Sequence, residues 1–80
     1  MIEVEVYISL KETVLDPEGL TIKKALNSIG YSEVLDVRFG KYIVLKLDID
    51  DKRTAEEKAK EFCEKLLANT VIETYSIKIK

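Results

Sequence analysis

Apolar and polar side chains alternate along the first ten residues of the chain. The apolar members are Ile2, Val4, Val6, Ile8 and Leu10. A period of two that leaves one apolar face is typical of a β-strand that buries one side. We therefore predict an opening strand whose other, charged face meets water or a polar partner.

Local signals predict a helix that begins after Asp16 and ends before Gly30. The Asp16 carboxylate can cap the helix, and Pro17 fits the first helical position, where the backbone N–H has no partner anyway. Apolar residues then recur at helical spacing: Ile22, Ala25, Leu26 and Ile29. Gly30 suits the left-handed conformation in which many helices end.

A second helix and a last strand follow in the C-terminal half. The run Thr54-Ala55-Glu56-Glu57 has the pattern of a capping box and predicts that the helix begins at Thr54. Asn69 is predicted to end this helix, because Asn tolerates positive φ. From Thr70 the period returns to two, which predicts a strand with Glu73 as the polar exception on its apolar face.

The segment from Glu33 to Ile49 allows two interpretations. Its apolar residues keep odd numbers on both sides of Gly40. A hairpin whose three-residue loop ends in a left-handed Gly40 preserves this parity. One long strand without a turn also preserves it, but such a strand would exceed the usual length of ~3–10 residues and would need a second chain to pair with. A simple hairpin and an exchange of segments between protomers both stay open.

The resulting order, β-α-β-β-α-β, predicts an α+β fold: a ferredoxin-like sandwich with an antiparallel sheet and two helices on one face. With 80 residues, positions 1–80 are expected to form a single domain. A core this small is expected to need self-association, as a dimer or a tetramer. No apolar run approaches the ~20 residues of a membrane span, so we expect a cytoplasmic protein without a membrane partner.

Composition argues against several kinds of chemistry. The chain has no His, which excludes imidazole bases and imidazole metal ligands. Its net charge of -2 argues against a nucleic-acid partner. Asp48, Asp50 and Asp51 resemble the start of a calcium loop but lack its glycine and closing glutamate, so a strand-to-helix turn is preferred. Cys63 lies on an apolar helical stripe and is predicted to be an inert buried thiol. We predict no catalytic, cofactor-binding or metal-binding residue.

Four stretches of the chain together resemble the PurS family, the small subunit of formylglycinamidine ribonucleotide (FGAM) synthase of purine biosynthesis. They are residues 10–19, 25–31, 34–41 and 63–73. The resemblance implies a non-catalytic subunit of a carbon–nitrogen ligase that takes its nitrogen from glutamine. Such a subunit would join the glutaminase subunit to the large synthetase subunit and help ammonia pass between them. ATP and Mg²⁺ would be used by the synthetase partner, and dimers of the family would exchange segments.

Five residues are predicted to contact partner subunits, because two of the matching stretches extend beyond what a buried core needs. They are Arg38, Gly40, Lys41, Asn69 and Thr70. The alternative is that Gly40 and Asn69 serve only the backbone conformation. Two other functions stay open: a ferredoxin-like regulatory module that binds a small molecule, and an RNA-binding domain that uses Tyr7 and Tyr42, which the acidic balance disfavours.

Overall fold

A computed structural model describes all 80 residues of the chain. The elements are β1 (Ile2–Leu10), α1 (Pro17–Ser28), β2 (Gly40–Leu47), α2 (Lys52–Phe62) and β3 (Glu73–Ile79). A single π-helical turn, Cys63–Leu67, extends α2. Three antiparallel strands with two helices confirm the predicted α+β class.

The strands form one sheet in the order β2-β1-β3. Val6 of β1 lies opposite Ile43 of β2 and opposite Ile77 of β3. The even-numbered side chains of β1 form the core together with small residues of α2, as the alternation predicts. The fully buried core residues are Val4, Val6, Ala55, Ala59 and Cys63. The alanines let α2 lie close to the sheet, where it packs against β1 and β3.

Both ends of α2 differ from the prediction. The helix begins at Lys52 because the carboxylate of Asp51 accepts the Thr54 N–H at 3.2 Å and the Thr54 hydroxyl at 2.7 Å. The prediction that Thr54 caps the helix is therefore wrong, since Asp51 lies three residues earlier and takes the same role. The prediction that Asn69 adopts a left-handed conformation is also wrong, because no residue other than glycine has a positive φ. The chain leaves the helix at Ala68, which is extended.

The connection from α1 to β2 contains no hairpin. Gly30 has φ +105°, and the Tyr31 N–H bonds to the Leu26 carbonyl at 3.0 Å, which confirms the predicted end of α1. Residues 34–39 then run without a turn and without strand pairing into β2. Of the two interpretations of this segment, the hairpin with a left-handed Gly40 is therefore wrong. Both edges of β1 are already paired, and its ladder with β2 ends at Gly40, so residues 34–39 find no strand in their own chain.

Helix α1 makes no substantial packing contact with a strand or with α2, and only its first turn, at Gly19, lies against the segment before β2. The radius of gyration is 16.1 Å, whereas a compact chain of this length has about 12 Å. Ile22 of α1 and Ile29, which caps the C-terminus of this helix, are exposed. Of the two helices expected on one face of the sheet, only α2 covers it within this chain.

Candidate partner interface

Arg38 lies beside the loop that follows β1 and holds that loop in place. One guanidinium nitrogen, Nη2, donates to the carbonyl oxygens of Lys11 at 2.9 Å and Val14 at 3.2 Å. It also lies 3.5 Å from the Leu10 carbonyl oxygen. Three carbonyl oxygens on one nitrogen tie the end of β1 to the segment that enters β2. Arg38 therefore has a structural role besides any contact with a partner.

Asp16 joins the start of α1 to Phe39, the residue before β2. The residue is only 5% exposed, and its Oδ1 accepts the Gly19 N–H at 2.9 Å, as predicted for a helix cap. Its Oδ2 accepts the Phe39 N–H at 2.7 Å, a bond that sequence analysis did not foresee. Hydrogen bonds from the Gly19 and Phe39 backbones, together with the charge of Arg38, hold the pKa of Asp16 below its usual value. The carboxylate thus fixes the direction in which α1 leaves the sheet.

Gly40 is required by a close approach between two strands. A Cβ atom at this position would lie 2.6 Å from the carbonyl oxygen of Ile8, which is a backbone atom that cannot move aside easily. Gly40 therefore has a structural role in the sheet, and its contact with a partner subunit stays a prediction. The reason is the distance between β1 and β2 rather than a left-handed conformation.

Lys41 and Asn69 are brought together through Glu73. The Lys41 ammonium lies 3.5 Å from Oε2 of Glu73, whose side chain is only 12% exposed. Oε1 of the same carboxylate accepts the Asn69 N–H at 2.6 Å. The sequence marked Glu73 only as an exception to the alternation. A polar residue at a core position, beside a predicted turn, was the signal that pointed to this role.

The turn between Ala68 and Glu73 is closed mainly by Asn69. Its side-chain oxygen accepts the Val71 N–H at 3.2 Å, and its carbonyl oxygen accepts N–H groups of Ile72 and Glu73. Thr70 is exposed and makes no side-chain hydrogen bond. Val71, the next residue, and Leu66, four residues earlier, are 78% and 83% exposed. This end of the molecule therefore presents apolar side chains that the chain itself does not cover.

A surface cavity of about 350 Å³ lies where β1 ends and α1 and β2 begin. Its lining includes Asp16, Glu18, Phe39, Lys41 and Glu73. Two of these carboxylates, Asp16 and Glu73, already accept backbone N–H groups. Asp16 and Glu73 thus hold the fold together, and the ammonium group of Lys41 pairs with Glu73.

Other candidate groups have structural roles. Asp50 accepts the N-terminal ammonium at 2.9 Å, which holds the pKa of Asp50 below its usual value. No group of residues has the arrangement of a metal site. Cys63 is fully buried, and burial raises the pKa of its thiol, which confirms the prediction of a buried thiol. None of the helices has the length and apolar character needed to cross a membrane.

The chain has an α+β fold, a helix that the rest of the chain does not cover, and a site whose charged groups form hydrogen bonds to the backbone. These features are typical of a small protein that associates with other chains. Residues 3–80 match the family model PurS, described as phosphoribosylformylglycinamidine (FGAM) synthase. The chain belongs to the PurS family. It is 52% identical over 80 residues to the Bacillus subtilis phosphoribosylformylglycinamidine synthase subunit PurS, covering 100% of this chain and 94% of that protein.

Solved structures of PurS proteins share the fold. The B. subtilis PurS structure has a TM-score of 0.88 at 51% identity and covers 100% of this chain and 99% of its own. Methanocaldococcus jannaschii PurS, one of the subunits of formylglycinamide ribonucleotide amidotransferase, has a TM-score of 0.91 at 41% identity, with 100% and 96% covered. The structure of PurLQS from Thermotoga maritima matches with a TM-score of 0.90 at 32% identity, with 99% and 96% covered.

Proposed function

We propose that residues 1–80 form a single PurS domain that acts as the non-catalytic bridging subunit of FGAM synthase in the cytoplasm. In this role the chain joins the glutaminase subunit to the large synthetase subunit and helps ammonia pass between them. The observation that carries the proposal is the similarity over the whole chain to PurS subunits, including one in PurLQS. ATP and Mg²⁺ are used by the synthetase partner.

The geometry supports a subunit without chemistry of its own. The carboxylates of Asp16 and Glu73 accept backbone N–H groups, and the chain has no histidine that could act as a base for Cys63. A bridging subunit acts by proximity. Holding two active sites together raises the local concentration of ammonia and keeps it from being protonated in bulk water.

Self-association is part of this proposal. Helix α2 packs against β1 and β3, which leaves the apolar side of β2, with Ile43 and Leu45, only partly covered. The apolar stripe of α1 is exposed in the same chain. A second copy that lays its α1 beside α2 would cover both surfaces and would offer residues 34–39 a strand to pair with. The contacts with the other subunits are assigned to the end of the molecule that carries Arg38, Lys41 and Thr70.

Reconstitution tests the proposal. Glutamine-dependent amidine formation by the synthetase and glutaminase subunits is measured with and without this chain, and then with ammonium as the nitrogen source. A bridging subunit is required with glutamine and largely dispensable with ammonium, because dissolved ammonia bypasses the transfer. Activity that does not depend on the chain under either condition contradicts the bridging role.

A further inference from the structure

The sheet has a second face, opposite α2, that no helix of this chain covers. We call it the open face. It consists of the odd-numbered side chains of β1 and the even-numbered side chains of β2 and β3. Most of its residues are polar or charged, and Glu5 lies at its centre, between Val44 and Lys78.

Glu5 is a charged residue that is only 8% exposed and has no cation paired with it. The hydroxyl groups of Tyr42 and Tyr7 both donate to its Oε2, at 2.5 Å and 3.1 Å. Oε1 accepts no hydrogen bond. Three lysines lie on the same face. The ammonium groups of Lys46 and Lys80 pair with Glu3, at 3.9 Å and 3.6 Å, and Lys78 lies opposite Glu5 on β3 without forming an ion pair.

The ionisation of this cluster follows from the same hydrogen bonds. The bond from Tyr42, more than that from Tyr7, holds the pKa of Glu5 below its usual value against the effect of burial. The reciprocal effect raises the pKa of Tyr42 to about 12. Glu5 is therefore an anion at neutral pH, and both tyrosines remain hydroxyl donors.

The surroundings of Glu5 are suited to a cationic side chain. The rings of Tyr7 and Tyr42 lie 5.1 Å apart, and these residues are 42% and 55% exposed. A carboxylate beside aromatic rings recognises ammonium and guanidinium groups through an ion pair and cation–π attraction. Lys78 lies opposite Glu5 but forms no ion pair with it, so a partner's cation at Oε1 would supply a charge pair that this chain does not form there.

We propose that the open face docks another subunit of the FGAM synthase complex, which places a lysine or arginine side chain against Oε1 of Glu5 and the rings of Tyr7 and Tyr42. This inference rests on the proposed function. A second copy of this chain fits the face less well. Because β1 is the central strand, stacking two open faces would place β1 of one copy over β1 of the other. The like-charged Glu3 and Glu5 of both copies would then lie close together.

The test measures binding of the purified synthetase and glutaminase subunits to variants of the full chain. Glu5→Gln keeps the shape and an acceptor for the tyrosine hydroxyls but removes the charge. Loss of a buried charge pair should raise the Kd by about 30-fold or more. The matched control is Glu57→Gln, an exposed glutamate on α2, which should leave the Kd unchanged.

A second variant keeps the test decisive if Glu5→Gln does not fold, which thermal unfolding would reveal. Ser76→Arg introduces a cation on β3 opposite Tyr7, in the place that the partner's side chain would take, and should block binding. Sedimentation velocity follows the chain's own oligomer in parallel, which both variants should leave intact.

The outcomes separate this inference from the proposed function. If the unmodified chain binds its partner subunits and both variants bind equally well, the open face is not the docking surface, while the bridging role stands. If either variant dissociates the chain's own oligomer, the face is a contact between copies and the inference is wrong. If the unmodified chain binds neither subunit, the inference and the proposed function fail together.

Discussion

The backbone N–H of Asn69 donates a 2.6 Å hydrogen bond to Oε1 of Glu73, while the Asn69 carbonyl oxygen accepts the Glu73 N–H at 2.7 Å. The two residues thus close the turn between α2 and β3 from both ends. The other carboxylate oxygen of Glu73 faces the Lys41 ammonium of β2 at 3.5 Å. One partly buried side chain therefore connects the end of α2, the start of β3 and the start of β2.

We expect the hydrogen bond from the Asn69 N–H to Glu73 to contribute more to stability than the ion pair between Lys41 and Glu73. Glu73→Ala should lower the free energy of unfolding by about 1–3 kcal/mol, because it removes a hydrogen bond to a charged acceptor and opens a gap beside β1. Lys41→Ala should cost less than about 1 kcal/mol, since the lysine side chain is mostly exposed. Urea unfolding of both variants checks this order, with the exposed Glu12→Ala as the control. Equal losses for the two variants would assign the stability to the ion pair instead.

Acidification should weaken the hydrogen bonds by which Asp16 joins the start of α1 to Phe39, the residue before β2. The pKa of Asp16 is lower in the folded chain than its ordinary value of 3.8, because Gly19 and Phe39 donate to the ionised form. Its contribution to stability is therefore complete above the unfolded-state pKa and is lost as the pH falls through the folded-state pKa.

Asp16→Asn is the variant that tests this pH dependence. An amide has a single oxygen and cannot accept at both positions, so we expect the Tm at pH 7 to fall by about 4–8 °C. The difference between the variant and the unmodified chain should shrink as the pH falls below 3.8, the ordinary value of the carboxyl pKa. Thermal unfolding at several pH values measures the difference, and a difference that is constant down to pH values below 3 contradicts the assignment.

Two glycines should respond differently to the same substitution. Gly40→Ala places a methyl group against the Ile8 carbonyl oxygen, so it should disturb the pairing of β1 with β2 and cost about 2–3 kcal/mol. Gly30→Ala meets no atom within 4 Å but must adopt φ +105°, which costs about 1–2 kcal/mol. Denaturant unfolding of both variants gives the comparison. A larger loss for Gly30→Ala would mean that β2 shifts easily to admit the methyl group.

The exposed stripe of α1 gives the test of self-association. Ile29→Lys adds a charge to a side chain that is 69% exposed in the single chain but would be buried against a second copy. Because a symmetric dimer loses the contact twice, its Kd should rise by about 100-fold or more. Lys24→Gln on the opposite side of α1 is the control and should leave the oligomer unchanged. Sedimentation equilibrium measures both constants, and an unaffected Ile29→Lys oligomer would exclude α1 from the contact.

Sequence analysis succeeded where the deciding signals are local or strictly periodic. The alternation of β1 identified the buried face correctly, and Gly30 was recognised because its whole signal lies within a few residues. The predicted start of α2 was wrong because two residues of capping type compete. Asp51 accepts the Thr54 N–H and hydroxyl and so takes the capping role that was predicted for Thr54. Each candidate has the right residue type, so only the geometry decides between them.

The candidate interface was less predictable because its bonds join distant parts of the chain. The bond from the Phe39 N–H to Asp16 spans 23 residues, and those from Arg38 reach back to the end of β1. The parity of residues 33–49 could not separate a hairpin from an extended passage. That question depends on whether β1 has a free edge, which only the complete sheet order answers.

Thr70 offers the clearest test of the proposed contact with partner subunits. Arg38 and Lys41 both hold the fold, so Arg38→Ala and Lys41→Ala would change local structure together with any contact. Thr70 is exposed and makes no side-chain hydrogen bond, and the next residue, Val71, is an exposed apolar residue. Thr70→Arg should therefore leave the Tm unchanged but raise the Kd for the synthetase and glutaminase subunits by about 10-fold or more, because a bulky cation disturbs an apolar contact. Glu57→Arg, at an exposed position on α2, is the control. Equal Kd values for the Thr70→Arg variant and the unmodified chain would exclude this end of the molecule from the contact.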